Sequence, residues 1–271
     1  MKVSAYAKVN LALVVGPTRP DGLHELTSVV QRVDLADDLE LEPAEEPRVA
    51  GFPEDTLVRA ALDLLAAETG RAFAVTLTKR IPVAAGLGGG SADAGAVLAA
   101  ASEVLDAPLP HARLVELAAA VGADVPFFLE PGPKLVEGAG ERLTPLGLPQ
   151  GFWLVIALPH DAGKASTGDV FARFDARDGP HGYEARRSML LAALARCREP
   201  SDLVRFPPND LAHEPGPAEV AEALCEAGAF RADASGAGPA VYGLFERRDQ
   251  AELAALAVER SARVWALRPV W

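Results

Sequence analysis

The segment Lys79-Arg80-Ile81-Pro82-Val83-Ala84-Ala85-Gly86-Leu87-Gly88-Gly89-Gly90-Ser91-Ala92-Asp93-Ala94 constrains this chain more than any other. It carries four glycines in the five positions 86–90. Before it, Ala74–Lys79 alternates as a strand does. After it, Ala92–Leu105 is alanine-rich and stops short of Pro108, as a helix does. Glycines in such a connection let the backbone turn sharply and approach a ligand without side-chain obstruction. The helix that follows offers unpaired N–H groups and a positive dipole end, which together suit phosphate. The loop is not a Walker A loop, because no Gly-Lys-Ser/Thr closes it. It is not a dinucleotide fingerprint, because Ser91 stands where the third glycine belongs. A plain connector with Ser91 as an N-cap is the competing reading. Glycine density between strand and helix favours a phosphate cradle over residues 86–91.

The rest of the chain places this loop in a fold class. Residues 3–15 read as a strand closed by Gly16-Pro17, with a turn at Asp21-Gly22. Further strands are expected over Leu26–Val33 and Leu39–Glu42. Helices are expected over Thr56–Glu68, stopped by Gly70, and over Ala112–Val121, stopped by Gly122. A proline- and glycine-bounded break at Leu148–Gly151 divides the chain into stretches 1–149 and 150–271. The second stretch opens with a strand at Phe152–Leu158. It carries helices near Tyr183–Cys197, Ala218–Ala227 and Gln250–Arg260, a glycine turn at Ser235–Gly238, and strands at Ala240–Phe245 and Arg263–Arg268. Turn-linked strands precede the interleaved helices, so an α+β chain fits better than a doubly wound parallel sheet.

Charge limits the partners. With 38 acidic and 26 basic residues the net charge is −12, which argues against a nucleic-acid surface. A nucleotide is still compatible, because a small phosphate site needs only a few donors. No apolar run reaches the roughly 20 residues that span a bilayer, so no membrane partner is expected. The stretch Met1–Lys8 lacks the apolar core of a signal peptide, which points to the cytoplasm. Two cysteines, Cys197 and Cys225, make neither a disulfide framework nor a zinc site. Lysine is scarce, at positions 2, 8, 79, 134 and 164 only, so Lys8 and Lys79 beside candidate motifs are informative.

Pro82-x-x-x-Gly86-Leu87-Gly88-Gly89-Gly90-Ser91 resembles the central ATP-binding motif of the GHMP kinases, the family of galactokinase, homoserine kinase, mevalonate kinase and phosphomevalonate kinase. Ala7-Lys8-Val9-Asn10-Leu11 resembles the N-terminal motif, and Ala234-Ser235-Gly236-Ala237-Gly238-Pro239-Ala240-Val241 the C-terminal one. Lys8 and Asn10, two apart on a strand, share a face. Asp21-Gly22-Leu23-His24-Glu25-Leu26 and Gly122-Ala123-Asp124-Val125-Pro126 resemble a branch of the superfamily whose acceptor is a cytidine-diphosphate-linked methylerythritol. The resemblance covers residues 5–245.

The resemblance implies an N-terminal domain like ribosomal protein S5 domain 2, a ferredoxin-like C-terminal domain, and a site between them. It implies ATP as phosphoryl donor and Mg2+ bridging ATP oxygens, with Ser91 one candidate ligand and the metal ligands otherwise unknown. Pro82, Gly86, Leu87, Gly88, Gly89, Gly90 and Ser91 then bind ATP. Asp124 is the general base, although Asp before Pro126 also reads as a helix cap. Lys8 lies near Asp124 and offsets transferring charge. Asn10, His24, Phe171, Ser235 and Gly236 contact the acceptor, with His24 reading the cytosine edge and Phe171 giving one aromatic face.

Two departures stand out. Leu23 replaces a stacking tyrosine, and Asp55-Thr56-Leu57 replaces an adenine-side Asp-Asn-Leu. The expected product is phosphorylation of the acceptor's 2-hydroxyl, in the non-mevalonate route to isoprenoid precursors, by a monomer or homodimer. A GHMP kinase for homoserine or mevalonate, or a non-catalytic nucleotide- or RNA-binding protein of the same fold, are the competing readings.

Overall fold

The computed structural model describes residues 1–161, 166–212 and 215–271. Two long strands open the chain, β1 (Lys2–Thr18) and β2 (His24–Ala44), and they pair with each other. Gly22 takes φ 83° in the turn between them, and Asp21 accepts the Leu23 N–H at 3.0 Å. The two strands expected over 26–33 and 39–42 are one continuous strand of 21 residues. The gap left between the two expected strands holds Asp34, Asp37 and Asp38. Asp37 is fully buried, and its carboxylate accepts the N–H groups of Arg80 and Ile81 and the ammonium of Lys79. A buried carboxylate so satisfied is compatible with an unbroken strand.

The chain groups into two compact units, neither of them one continuous stretch. The first comprises Met1–Ala7, Leu35–Val83 and Gly88–Pro131. In it β3 (Arg48–Ala50) runs parallel to β4 (Ala72–Thr78), which pairs antiparallel with Asp38–Ala44 of β2. Helix α1 (Thr56–Thr69) buries Val58, Ala61, Leu62 and Leu65, an i, i+3, i+4, i+7 stripe. Asp55 caps it, accepting the N–H groups of Leu57 and Val58 at 3.0 and 2.9 Å, and Gly70 ends it at φ 67°.

Helix α2 (Gly89–Glu103) starts three residues earlier than the Ala92 expected from sequence, so Gly89, Gly90 and Ser91 are its first turn. Its small side chains let it lie buried on most sides. At Gly95 an added Cβ would stand 2.7 Å from the Phe128 Cβ and 3.2 Å from the Val125 carbonyl oxygen. The helix therefore packs its backbone on the short 3-10 turn Pro126–Leu129 that follows α3 (His111–Val121).

The second unit comprises Lys8–Asp34, Ala84–Leu87 and Gly132–Trp271. Leu26–Val30 of β2 pairs antiparallel with β5 (Lys134–Gly138), and β5 with β6 (Arg142–Pro145), two strands with no clear sequence signal. Next come β7 (Trp153–Pro159), α4 (Thr167–Ala176), α5 (Tyr183–Arg196), α6 (Pro215–Glu226), β8 (Arg231–Ala234), β9 (Val241–Phe245), α7 (Arg248–Val258) and β10 (Ala262–Leu267). The second sheet is antiparallel in the order β10-β7-β9-β8, which is fourth, first, third, second along the chain. That order is ferredoxin-like. Val220 and Leu224 of α6 and Ala251, Ala254 and Val258 of α7 share its core with Val155, Val241 and Phe245. A final pair, β11 (Pro269–Val270), adds to β2 at Arg32 and Val33. The α+β class and the ferredoxin-like sheet agree with expectation. Both cysteines are free thiols, Cys197 buried and Cys225 exposed. Among the described residues no helix is long and apolar enough to cross a membrane.

The contact at Gly95 is testable. Gly95→Ala should lower unfolding stability by about 1–3 kcal/mol, because overpacking strains a close-packed site. Gly147→Ala, where an added Cβ meets nothing within 4 Å, should change it by less than about 0.5 kcal/mol. Urea unfolding of the two variants makes the comparison; equal midpoints would mean α2 yields at no cost.

Candidate active site

Three sequence motifs more than two hundred residues apart at their extremes meet in the second unit. The contact is made by backbone. Gly86 takes φ 80°, and a Cβ there would fall 2.0 Å from the Ser235 carbonyl oxygen. A Cβ on Gly238 would fall 2.1 Å from the Gly86 nitrogen. Only glycine allows that approach from both sides. The Ala240 N–H donates to the Ala85 carbonyl at 3.1 Å, and the Lys8 N–H donates to the Leu87 carbonyl at 2.9 Å. The Ser235 hydroxyl donates to the Gly86 carbonyl at 2.9 Å and accepts the Asn10 N–H at 3.3 Å.

Lys8 and Asn10 sit on one face of β1, as their spacing requires. The Lys8 ammonium donates to Asn10 Oδ1 at 2.5 Å, and Asn10 Nδ2 donates to the Ser28 hydroxyl at 2.8 Å. Both side chains are buried, and a Cβ on Gly236 would be 3.2 Å from the Lys8 ammonium. Asn10 is thus oriented from two sides and aims the lysine. Asn209 holds the other flank, donating through Nδ2 to the carbonyls of Ala234 and Gly236 at 3.0 and 2.7 Å. Sequence reasoning missed it, because Pro207-Pro208-Asn209-Asp210 reads as an ordinary turn.

The start of α2 lies in the first unit. Its N-cap is Gly88 at φ 69°, with no side-chain cap bond, so the first-turn N–H groups of Gly89–Ser91 are not consumed by capping. Gly88 to Ser91 are partly exposed, whereas Leu87 is 1% exposed and anchors the loop by its side chain. Pro82 is half-buried at the loop entry, and Ala84 holds φ 57°, a strained value for a residue with a Cβ. Asp55 reaches this turn as well as capping α1, since a Cβ on Gly90 would be 3.8 Å from its Oδ2.

Asp124 is exposed, on a turn fixed by the buried Val125, Pro126, Phe127 and Phe128. The 3-10 turn that follows it has Val125, not Asp124, at its N-cap position.

Behind the glycine turn lies a cluster that the sequence did not announce. The Lys79 ammonium pairs with Asp37 at 2.5 Å and with Asp93 at 2.6 Å, both carboxylates being wholly buried. A Cβ on Gly89 would be 3.4 Å from that ammonium. Two carboxylates share one lysine, and Asp93 Oδ1 has no hydrogen-bond partner. Burial pushes the Asp93 carboxyl up to about 8, against the pull of Lys79, with the like charges of Asp37 and Asp55 adding to the rise. Burial opposes the charge on Lys79, and its acidic neighbours more than offset that, so its pKa is raised.

His24 and Phe171 are brought together in the second unit. Their rings stack with centroids 4.9 Å apart, and His24 Nδ1 lies 2.8 Å from the Gly16 carbonyl oxygen. Leu23 beside them is 52% exposed, so it lies free on the surface. Among the described residues no three His, Cys, Asp or Glu are grouped to hold a metal ion.

Residues 56–132 match the family described as GHMP kinases N terminal domain, and residues 192–263 match GHMP kinases C terminal. The chain is 41% identical over 263 residues to a 4-diphosphocytidyl-2-C-methyl-D-erythritol kinase of Symbiobacterium thermophilum, covering 92% of each. It is 36% identical to the enzyme of the same name from Geobacter sp. (strain M21), over 98% of this chain and 96% of that one. A crystal structure of 4-(cytidine 5'-diphospho)-2C-methyl-D-erythritol kinase superposes with TM-score 0.83 at 34% identity, over the full length of both chains. A mevalonate kinase structure superposes with TM-score 0.77 at 12% identity, which shows a shared fold alone.

The buried aspartate predicts a pH dependence. Asp93 keeps its proton in the folded chain up to about pH 8 and loses it near 3.8 when unfolded, so the folded state binds more protons between those values. Its contribution to stability is therefore greatest below the lower value and falls as pH rises through that window. Asp93→Asn should remove this slope. The stability difference, variant minus wild type, should grow from pH 4 to pH 8 in urea titrations; a pH-independent difference would show that Asp93 is ionised in the folded protein.

Proposed function

The chain belongs to the GHMP kinase family, and from that premise we infer that it transfers the γ-phosphoryl group of ATP to the 2-hydroxyl of 4-diphosphocytidyl-2-C-methyl-D-erythritol, in isoprenoid precursor synthesis. The observation that carries this reading is identity of 41% over 263 residues with a kinase of that name, covering 92% of each chain. Homoserine and mevalonate kinase structures share the fold at only 19% and 12% identity, which does not favour those acceptors. The matched segments 56–132 and 192–263 fall within the stretches 1–149 and 150–271, which we assign as the N- and C-terminal domains. ATP and a small polar acceptor as partners fit work in the cytoplasm.

Phosphoryl transfer asks a protein for positioning and charge stabilisation more than for covalent chemistry. The uncapped first turn of α2 offers the N–H groups of Gly89, Gly90 and Ser91 and a positive helix end to the ATP phosphates. Pro82, Gly86, Leu87 and Gly88 shape the approach to that turn. Lys8, aimed by Asn10, neutralises charge on the group in transfer. Asp124 is exposed on its anchored turn and takes the proton of the attacking hydroxyl. His24 and Phe171 receive the base, and Ser235 and Gly236 fix the floor under Lys8. A magnesium ion carried by ATP would supply charge neutralisation on the phosphates, and the Ser91 hydroxyl in the first turn of α2 is the residue that would hold it.

The deciding experiment is a coupled assay of the purified protein with ATP and a panel of acceptors: the cytidyl substrate, homoserine and mevalonate. Turnover of the cytidyl substrate alone supports the reading, and turnover of another acceptor at equal kcat/KM overturns it. Asp124→Asn keeps shape and removes proton acceptance. It should lower kcat by on the order of 10²–10⁴-fold while leaving ATP affinity nearly intact by calorimetry. Near-normal turnover in that variant would remove Asp124 from the chemistry.

A further inference from the structure

Helix α4 presents an aromatic face and a carboxylate to the same imidazole. Phe171 stacks on His24 with the ring planes inclined by 28°. Asp175 follows about one turn later, and its Oδ2 stands 3.3 Å from His24 Nε2. The other ring nitrogen, Nδ1, faces the Gly16 carbonyl at 2.8 Å. A carbonyl only accepts, so Nδ1 carries the hydrogen. In the neutral ring Nε2 is then a lone pair, and it faces a carboxylate. The Thr18 hydroxyl stands 3.4 Å from Nε2. Two acceptors side by side call for a donor between them.

Helix stability does not explain Asp175. It lies in the last turn of α4 (Thr167–Ala176), where the helix dipole disfavours negative charge. Its side chain is 44% exposed, and its carboxylate pairs with His24 alone among the described residues. It is accessible to a ligand and committed to the same ring that Phe171 covers.

We propose that Asp175, with His24 Nε2, reads the exocyclic amine of the substrate's cytosine and thereby excludes uracil. This rests on the cytidyl acceptor inferred above. A planar amine has two diverging hydrogens. One goes to Nε2 and the other to the Asp175 carboxylate, opening the 3.3 Å contact as the base settles against Phe171. A carboxylate accepting from the cytosine amine is a known mode of base reading. Uracil carries a carbonyl at that position, which would face two acceptors. A site built around such a donor rejects the analogue that lacks it. The acceptor pair also supplies polar specificity where Leu23 supplies no aromatic stacking.

The test is a comparison of kcat/KM for the cytidyl substrate and its uridyl counterpart in wild type, Asp175→Ala and Asp175→Asn. Wild type should prefer the cytidyl substrate strongly. Asp175→Ala should lower its kcat/KM about ten- to a hundredfold, through KM with kcat retained, and leave the uridyl value unimproved or slightly raised. Asp175→Asn offers an amide donor to the uracil carbonyl, so its uridyl value should rise and its ratio fall further than in the alanine variant. A cytidyl-to-uridyl ratio within about twofold of wild type in both variants would overturn the proposal, even if both absolute values fell, since that is the mark of a merely structural role. Failure of the acceptor assignment looks different: the wild-type protein itself would then use the nucleotide-free alcohol as well as the cytidyl one.

Discussion

Two stretches of backbone touch at Gly86 and Gly238 with no room for a single carbon atom between them, and the surroundings of Lys8 in the second unit are arranged around that contact. The Ser235 hydroxyl joins the Gly86 carbonyl to the Asn10 N–H. Asn10 in turn holds the ammonium of Lys8. Asn209 grips the far side of the turn through two carbonyls. Position is transmitted along this chain by main-chain atoms and short side chains, which have little rotamer freedom to lose. A lysine side chain is otherwise floppy, and a point charge is useful in catalysis only where it is held.

An acidic protein that binds a polyanion meets an electrostatic problem, and the first unit shows how it is limited. The positive end of α2 comes from peptide dipoles rather than from side chains. Asp93, in the second turn of the same helix, would weaken that end if fully charged. Lys79 and a retained proton suppress its charge instead, while Asp37 ties the lysine to two N–H groups of the loop entry. The glycine turn therefore rests on a cluster close to neutrality, although the chain carries a net charge of −12.

Much of this was legible from residues alone. Glycines that end or cap helices, such as Gly70, did so because only a residue without a Cβ sits easily at positive φ. The turn into α2 was readable from glycine density, and the shared face of Lys8 and Asn10 from the period of a strand. Less legible were features that depend on partners distant in sequence. The continuity of β2 through Asp37 was one of these, because the three donors that satisfy its carboxylate lie more than forty residues away. Strands β5 and β8 are short and carry charged residues, so pairing rather than propensity makes them strands.

The contact between residues 8–10 and 235–238 also sets a timetable. A ribosome adds residues in order, and a nascent chain folds what it already has. Lys8 emerges early and waits through more than two hundred further additions before the turn that steadies it exists. Loop closure over such a span is slow, because the entropy of the intervening chain is lost before the contact returns anything. The glycine loop and α2 can collapse long before then, but the lysine is set only near the end of synthesis. A chain released early, short of residue 235, would lack the partner that holds both Gly86 and Asn10 in place.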